Sequence, residues 1–114
     1  MNMMTSIRQV GDVSIVDVSG KIVLGEESAA LRGVVAGLLA KGHKKILLNL
    51  GEVNYIDSSG LGELVSAFTT AKNQGADVKL LNLTKKVKDV LQVTKLYTVF
   101  DIFDDEASAI ASFK

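Results

Sequence analysis

The sequence predicts a single α/β domain: a mixed sheet of roughly four to five strands, opened by an antiparallel hairpin and carrying about four helices. Three observations predict it. β-rich and helix-patterned segments alternate along the chain, a nearly continuous apolar run sits near its centre, and a tight-turn pair joins two β-rich runs at its start.

Ile7 to Val10 and Val13 to Ser19 are separated by Gly11-Asp12, a pair suited to the positive φ of a two-residue hairpin turn, so they should pair antiparallel. Next, the acidic pair Glu26-Glu27 precedes Leu31, Val34, Val35, Leu38 and Leu39, an apolar stripe at helical spacing closed by Gly42. Gly33 and Gly37 lie four apart on that helix, but their flanks are too polar for a membrane dimer motif, and ordinary packing is expected of them. Lys44 to Leu50 reads as a central strand covered on both faces. The turn Asp57-Ser58-Ser59-Gly60 then opens a second helix, with Leu61, Leu64, Val65 and Phe68 on one side and Gly75 as its stop. Asp77 to Leu83 is the next strand, joined through that helix in a parallel crossover. Thr84 should cap a third helix with Val87, Val90 and Leu91 inward; Tyr97 to Phe103 reads as extended. Asp104-Asp105-Glu106 starts a short final helix anchored by Phe113.

With 114 residues, the chain is read as one domain spanning 1–114. Apolar residues make up 47% and charged ones 23%, a balance that folds rather than stays disordered. Lys plus Arg equals Asp plus Glu at 13 each, so net charge gives no reason to seek nucleic acid or an anionic membrane. The absence of cysteine removes disulfides and thiolate chemistry, and a single histidine is too few for a typical zinc site, so no metal or cofactor is expected. Met1 to Ser6 lacks a basic start followed by an apolar stretch, and no window approaches the ~20 apolar residues of a membrane span. A cytoplasmic location without membrane insertion is therefore expected.

Hydroxyls, a carboxylate and glycine converge at one place only, directly after the buried strand and before the second helix: Asp57-Ser58-Ser59-Gly60. The positive end of that helix would favour an anion there, including a phosphate on Ser58, with Gly60 and Gly62 leaving room around it. A plainer reading is that Ser58 or Ser59 caps the helix, a role worth ~1 kcal/mol. Asp57, Ser58 and Ser59 are all competent caps, however, and the spare hydroxyls suggest another use.

The stretch Asn49-Leu50-Gly51-Glu52-Val53-Asn54-Tyr55-Ile56-Asp57-Ser58-Ser59-Gly60-Leu61-Gly62 resembles the signature of STAS-domain anti-sigma factor antagonists. The likeness extends over nearly the whole chain, through the hairpin ending in Ser19-Gly20-Lys21-Ile22 and the Val78 to Leu83 strand before a Lys-rich helix start. The resemblance implies phosphorylation of Ser58 by a partner that is both serine kinase and anti-sigma factor, reversed by a phosphoserine phosphatase. It further implies a partner surface of Asp57, Ser58, Ser59, Gly60, Leu61 and Gly62, no catalysis by the chain itself, and no direct contact with nucleic acid. The unmodified form would bind the kinase and free the sigma factor; a monomer or a weak homodimer would serve. Many members place an aspartate shortly after the hairpin glycine, where this chain reads Gly20-Lys21-Ile22-Val23-Leu24-Gly25.

Other readings fare less well. A serine hydrolase needs a base beside Ser58, but His43 enters the central strand at its far end, roughly 20 Å away for about six residues at ~3.3 Å each. A receiver domain would need an acidic pair after its first strand, whereas the Asp104-Asp105 pair begins the last helix, where it suits the helix dipole. Lys85, Lys86, Lys88 and Lys95 read as a solvated helix face before a phosphate or lipid site. No G-x-x-x-x-G-K loop is present to cradle a nucleotide. The alternative that survives is a STAS docking subunit of a transporter assembly or stress-signalling scaffold, whose Ser58 need not be modified.

Overall fold

The computed structural model describes residues 3–23 and 25–113, with backbone alone at residues 26–28. The chain runs β1 (Met4–Val10), β2 (Val13–Ile22), α1 (Glu26–Ala40), β3 (Lys45–Ile56), α2 (Ser58–Asn73), β4 (Asp77–Leu81), α3 (Lys85–Thr94), β5 (Ile102–Phe103) and α4 (Glu106–Ser112). The side chains of Glu26-Glu27, expected at the first helix start, lie outside the described residues, as does Leu24.

The hairpin forms as predicted: Gly11 takes φ 59° in the two-residue loop, and Val10 faces Val13 across it. The sheet has five strands in the order β1-β2-β3-β4-β5. β1 is antiparallel to β2, and every later neighbour is parallel. Parallel pairing requires crossovers, which α1, α2 and α3 supply in turn.

Period-two alternation divides the strand side chains between two faces. On one, Val16, Val18, Ile46, Leu48, Leu50, Val78 and Leu80 meet Leu31, Val35, Leu64 and Leu91 from the crossover helices in the main core. On the other, Val13, Ile15, Leu47 and Leu81 form a smaller cluster with Ala109 and Phe113 of the last helix. The prediction that the central strand is covered on both faces thus holds for its first half.

α4 covers only part of the second face. Beyond it the strands turn polar: Asp17 accepts hydrogen bonds from Arg8 Nε at 2.6 Å and Asn49 Nδ2 at 2.8 Å. Arg8 reaches on to Glu106 of α4, with Nη2 2.9 Å from Oε1. The Arg8 guanidinium holds the Asp17 carboxyl below its ordinary pKa despite partial burial.

Three expectations need correction. Gly33 and Gly37 pack against nothing: a Cβ at either would meet open space. The central strand does not end at Leu50 but runs on to Ile56, and β4 stops at Leu81 rather than Leu83. Tyr97 to Phe103 is not extended throughout. Lys95 ends α3 in the left-handed region at φ 63°, Leu96–Thr98 coils into a 3-10 turn, and only Ile102–Phe103 finds strand partners on β4.

Candidate functional site

β3 delivers the candidate turn to the C-terminal end of the parallel strands, beside the end of β2. Register irregularities between Asp17 and Ser19 and between Gly20 and Lys21 let β2 keep pace with β3, so that Ile22 finishes opposite Ile56. The backbone of Ile22 then becomes the floor of the turn. Its carbonyl accepts the Asp57 N–H at 3.2 Å.

Asp57 is the cap of α2. Its extended backbone leaves the carboxylate free to accept the Gly60 N–H at 2.8 Å, while its carbonyl accepts the Leu61 N–H at 2.9 Å. The two serines named as possible caps are therefore replaced in that role by the carboxylate. Ser58 is the first helical residue and stands exposed; Ser59 is half-buried.

Gly60 does something the sequence did not indicate. A Cβ there would lie 2.1 Å from the Ile22 carbonyl oxygen and 2.8 Å from its carbonyl carbon, contacts that backbone cannot relieve. Gly60 is thus a close-packing glycine that seats α2 on the end of β2, and the space beside it is taken by Ile22. Gly62 is the open one, with nothing near its missing side chain.

Of the residues expected to face a partner, Gly60 and Leu61 are buried. Asp57, Ser58, Ser59 and Gly62 form the accessible rim. Around it, Arg32 Nε of α1 stands 3.5 Å from Glu63 Oε1 of α2, and Lys86 Nζ of α3 lies 5.7 Å from the centre of the half-exposed Tyr55 ring. Neither neighbourhood was legible from spacing along the chain, because each joins elements distant in sequence.

His43 lies in the turn after α1, at the opposite end of the strands from Ser58. It lines a shallow cleft with Gln9, Asp12, Gly42, Lys44 and Lys45, far from the serine turn. The arrangement keeps His43 away from Ser58, and no cluster of metal-ligating residues occurs among the described residues. What the turn can do chemically is present an exposed hydroxyl on a rigid backbone at a positive helix end.

A five-stranded mixed sheet with this hairpin, these crossovers and this turn is the fold of the STAS domain, whose family matches residues 4–109, and the chain belongs to that family. Its curated relatives carry the name anti-sigma factor antagonist. Among its relatives is the anti-sigma-B factor antagonist of Bacillus subtilis, 30% identical over 102 residues that cover 90% of this chain and 92% of that protein. A crystal structure from Thermotoga maritima superposes with TM-score 0.86 at 29% identity, covering 94% of this chain and 92% of the other. The Bacillus cell fate determinant SpoIIAA, solved in a phosphorylated form, shares the fold with TM-score 0.75 at 18% identity, covering 97% of this chain and all of that one.

Proposed function

We propose that this chain is an anti-sigma factor antagonist working as a phosphorylation-controlled partner switch in the cytoplasm, with Ser58 as the modified residue. The unmodified form binds an anti-sigma factor serine kinase and so frees the sigma factor. Phosphorylation of Ser58 releases the kinase, and a phosphoserine phosphatase resets the switch. The observation that carries this reading is that Asp57 performs the capping, which leaves the exposed Ser58 hydroxyl without that structural duty. The antagonist relatives support it, as does the existence of a phosphorylated form in a protein of the same fold.

Magnitudes say how the switch would act. A phosphoserine adds about −1.5 to −2 charges at pH 7, and a helix N-terminus favours it by at most ~2 kcal/mol. Asp57 is already bonded to the Gly60 N–H and repels the new charge. Both effects are small beside the ~5 to 15 kcal/mol stability of a domain, whereas unmatched charge pressed into an interface costs several kcal/mol. The phosphate should break the complex and leave the fold intact.

The test is to incubate the protein with ATP and each candidate serine kinase from the source cell, then locate phosphate by mass spectrometry with Ser58→Ala as control. A single phosphate on Ser58 that abolishes kinase binding is expected. A stable complex with an unmodified chain would replace the switch with the docking-subunit reading. Separately, Ser58→Asp should melt close to the parent protein; a large loss of stability would contradict the account.

A further inference from the structure

The two edges of the sheet are protected very differently. β5 is two residues long, and shortness alone blunts an edge. β1 is seven residues long, pairs among the described residues with β2 alone, and contains neither proline nor lysine. Its one charge, Arg8, is exposed and paired with Asp17 and Glu106 on the sheet face. Its apolar residues are exposed: Met4 at 65%, Ile7 at 50% and Val10 at 38%.

The hairpin fixes which backbone groups the free edge offers. A two-residue loop closes on a hydrogen-bonded pair, here Val10 and Val13, and bonded pairs then alternate along the ladder. Arg8, Ser6 and Met4 therefore turn their N–H and C=O groups towards β2. Thr5, Ile7 and Gln9 turn theirs outward.

We propose that β1 is a self-association edge, at which a second copy of this chain adds antiparallel about a twofold axis through Ile7 and continues the sheet across both molecules. The sequence of β1 is self-complementary in that register. Ile7 stands opposite Ile7, and Thr5 opposite Gln9, so each outward residue meets an outward residue and exchanges both backbone bonds with it. On the other face Met4 stands opposite Val10, and Ser6 opposite Arg8. Every exposed apolar side chain of the strand gains an apolar partner, and no like charges stand directly opposite each other, the two Arg8 copies being diagonal and each already paired with Asp17 and Glu106. A shift of two residues either way would leave one outward residue unpaired and separate Ile7 from its copy. Strand pairing alone buries less than the ~1,600 Å² of a standard stable interface, so the association is weak and concentration-dependent.

Sedimentation velocity from micromolar to millimolar protein, combined with amide exchange over the same range, tests this. The sedimentation coefficient should rise with concentration, and Ile7→Lys should weaken association at least about tenfold. In the unaltered chain, the amides of Thr5, Ile7 and Gln9 should exchange more slowly as concentration rises, while those of Ser6 and Arg8, already bonded to β2, should not change. A chain that stays monomeric at millimolar concentration overturns the proposal. So does a dimer that survives Ile7→Lys with its outward amides unaffected, above all if Val93→Lys abolishes it, since Val93 is the most exposed apolar residue of α3.

Discussion

The parallel strands end in opposite ways. At their C-terminal end the turn from β3 into α2 is held by backbone: the Ile22 carbonyl takes the Asp57 N–H, Asp57 takes the Gly60 N–H, and Gly60 lies against Ile22. At their N-terminal end backbone bonds also close the segment Gly42-His43-Lys44, with the Gly42 and His43 N–H groups on the Leu39 and Leu38 carbonyls and the Lys44 carbonyl taking the Asp77 N–H. Gly42 is wedged against nothing, however, and long side chains add further ties. Lys44 Nζ reaches the Gln74 carbonyl at 2.8 Å, and Lys45 Nζ reaches Asp12 Oδ2 at 2.6 Å, drawing that carboxyl below its ordinary pKa. Backbone packed directly on backbone, as Gly60 is on Ile22, tolerates little displacement, whereas solvated ammonium groups fix little. The difference teaches that the Ser58 end is locked by a close backbone contact, Gly60 on Ile22, that the His43 end lacks.

That contrast can be broken most directly at Gly60. Gly60→Ala drives a methyl into the Ile22 carbonyl and should lower stability by about 3 kcal/mol or more, read from the urea midpoint. A near-neutral result would show that α2 lifts easily from β2 and that the end is not rigid. Asp57→Ala removes the cap and should lose about 1 kcal/mol in the same assay. Gly62→Ala, two residues beyond Gly60 but facing open space, should go the other way and gain up to about 1 kcal/mol, because alanine is the better helix former. At the far end, His43→Ala should stay within about 0.5 kcal/mol of the parent. A larger loss there would mean that the two ends are more alike than their contacts suggest.

Elements with strong periodicity were legible: the hairpin, the leucine stripe of α1, the apolar start of β3 and the Thr84 start of α3, whose Oγ1 accepts the Val87 N–H at 3.5 Å. Their patterns are local, and local patterns survive folding. The second half of β3 was missed because Gly51, Glu52, Asn54 and Tyr55 interrupt its apolar character. Its extended form depends on β2 alongside it. The run from Tyr97 was misread for the reverse reason: aromatic and β-branched residues imitate a strand, but only Ile102 and Phe103 lie beside a free edge of β4. At the turn, the sequence located Ser58 and left three residues competing for the cap. Only the geometry assigns that role to Asp57, and only a contact between segments distant along the chain explains Gly60.

The unbroken order β1-β2-β3-β4-β5 has a consequence for synthesis. Each strand pairs with the one made just before it, so a chain growing from its N-terminus never has to insert a strand between two that have already joined. Assembly can proceed along the nascent chain, one crossover at a time, with little delay from distant contacts. The last helix is the exception. It returns across the sheet to bury Ala109 and Phe113 against Val13 and Ile15, and its Glu106 meets Arg8 on the first strand. The first strand thus waits until the last helix has been made before its contacts are complete, and the second face closes only then.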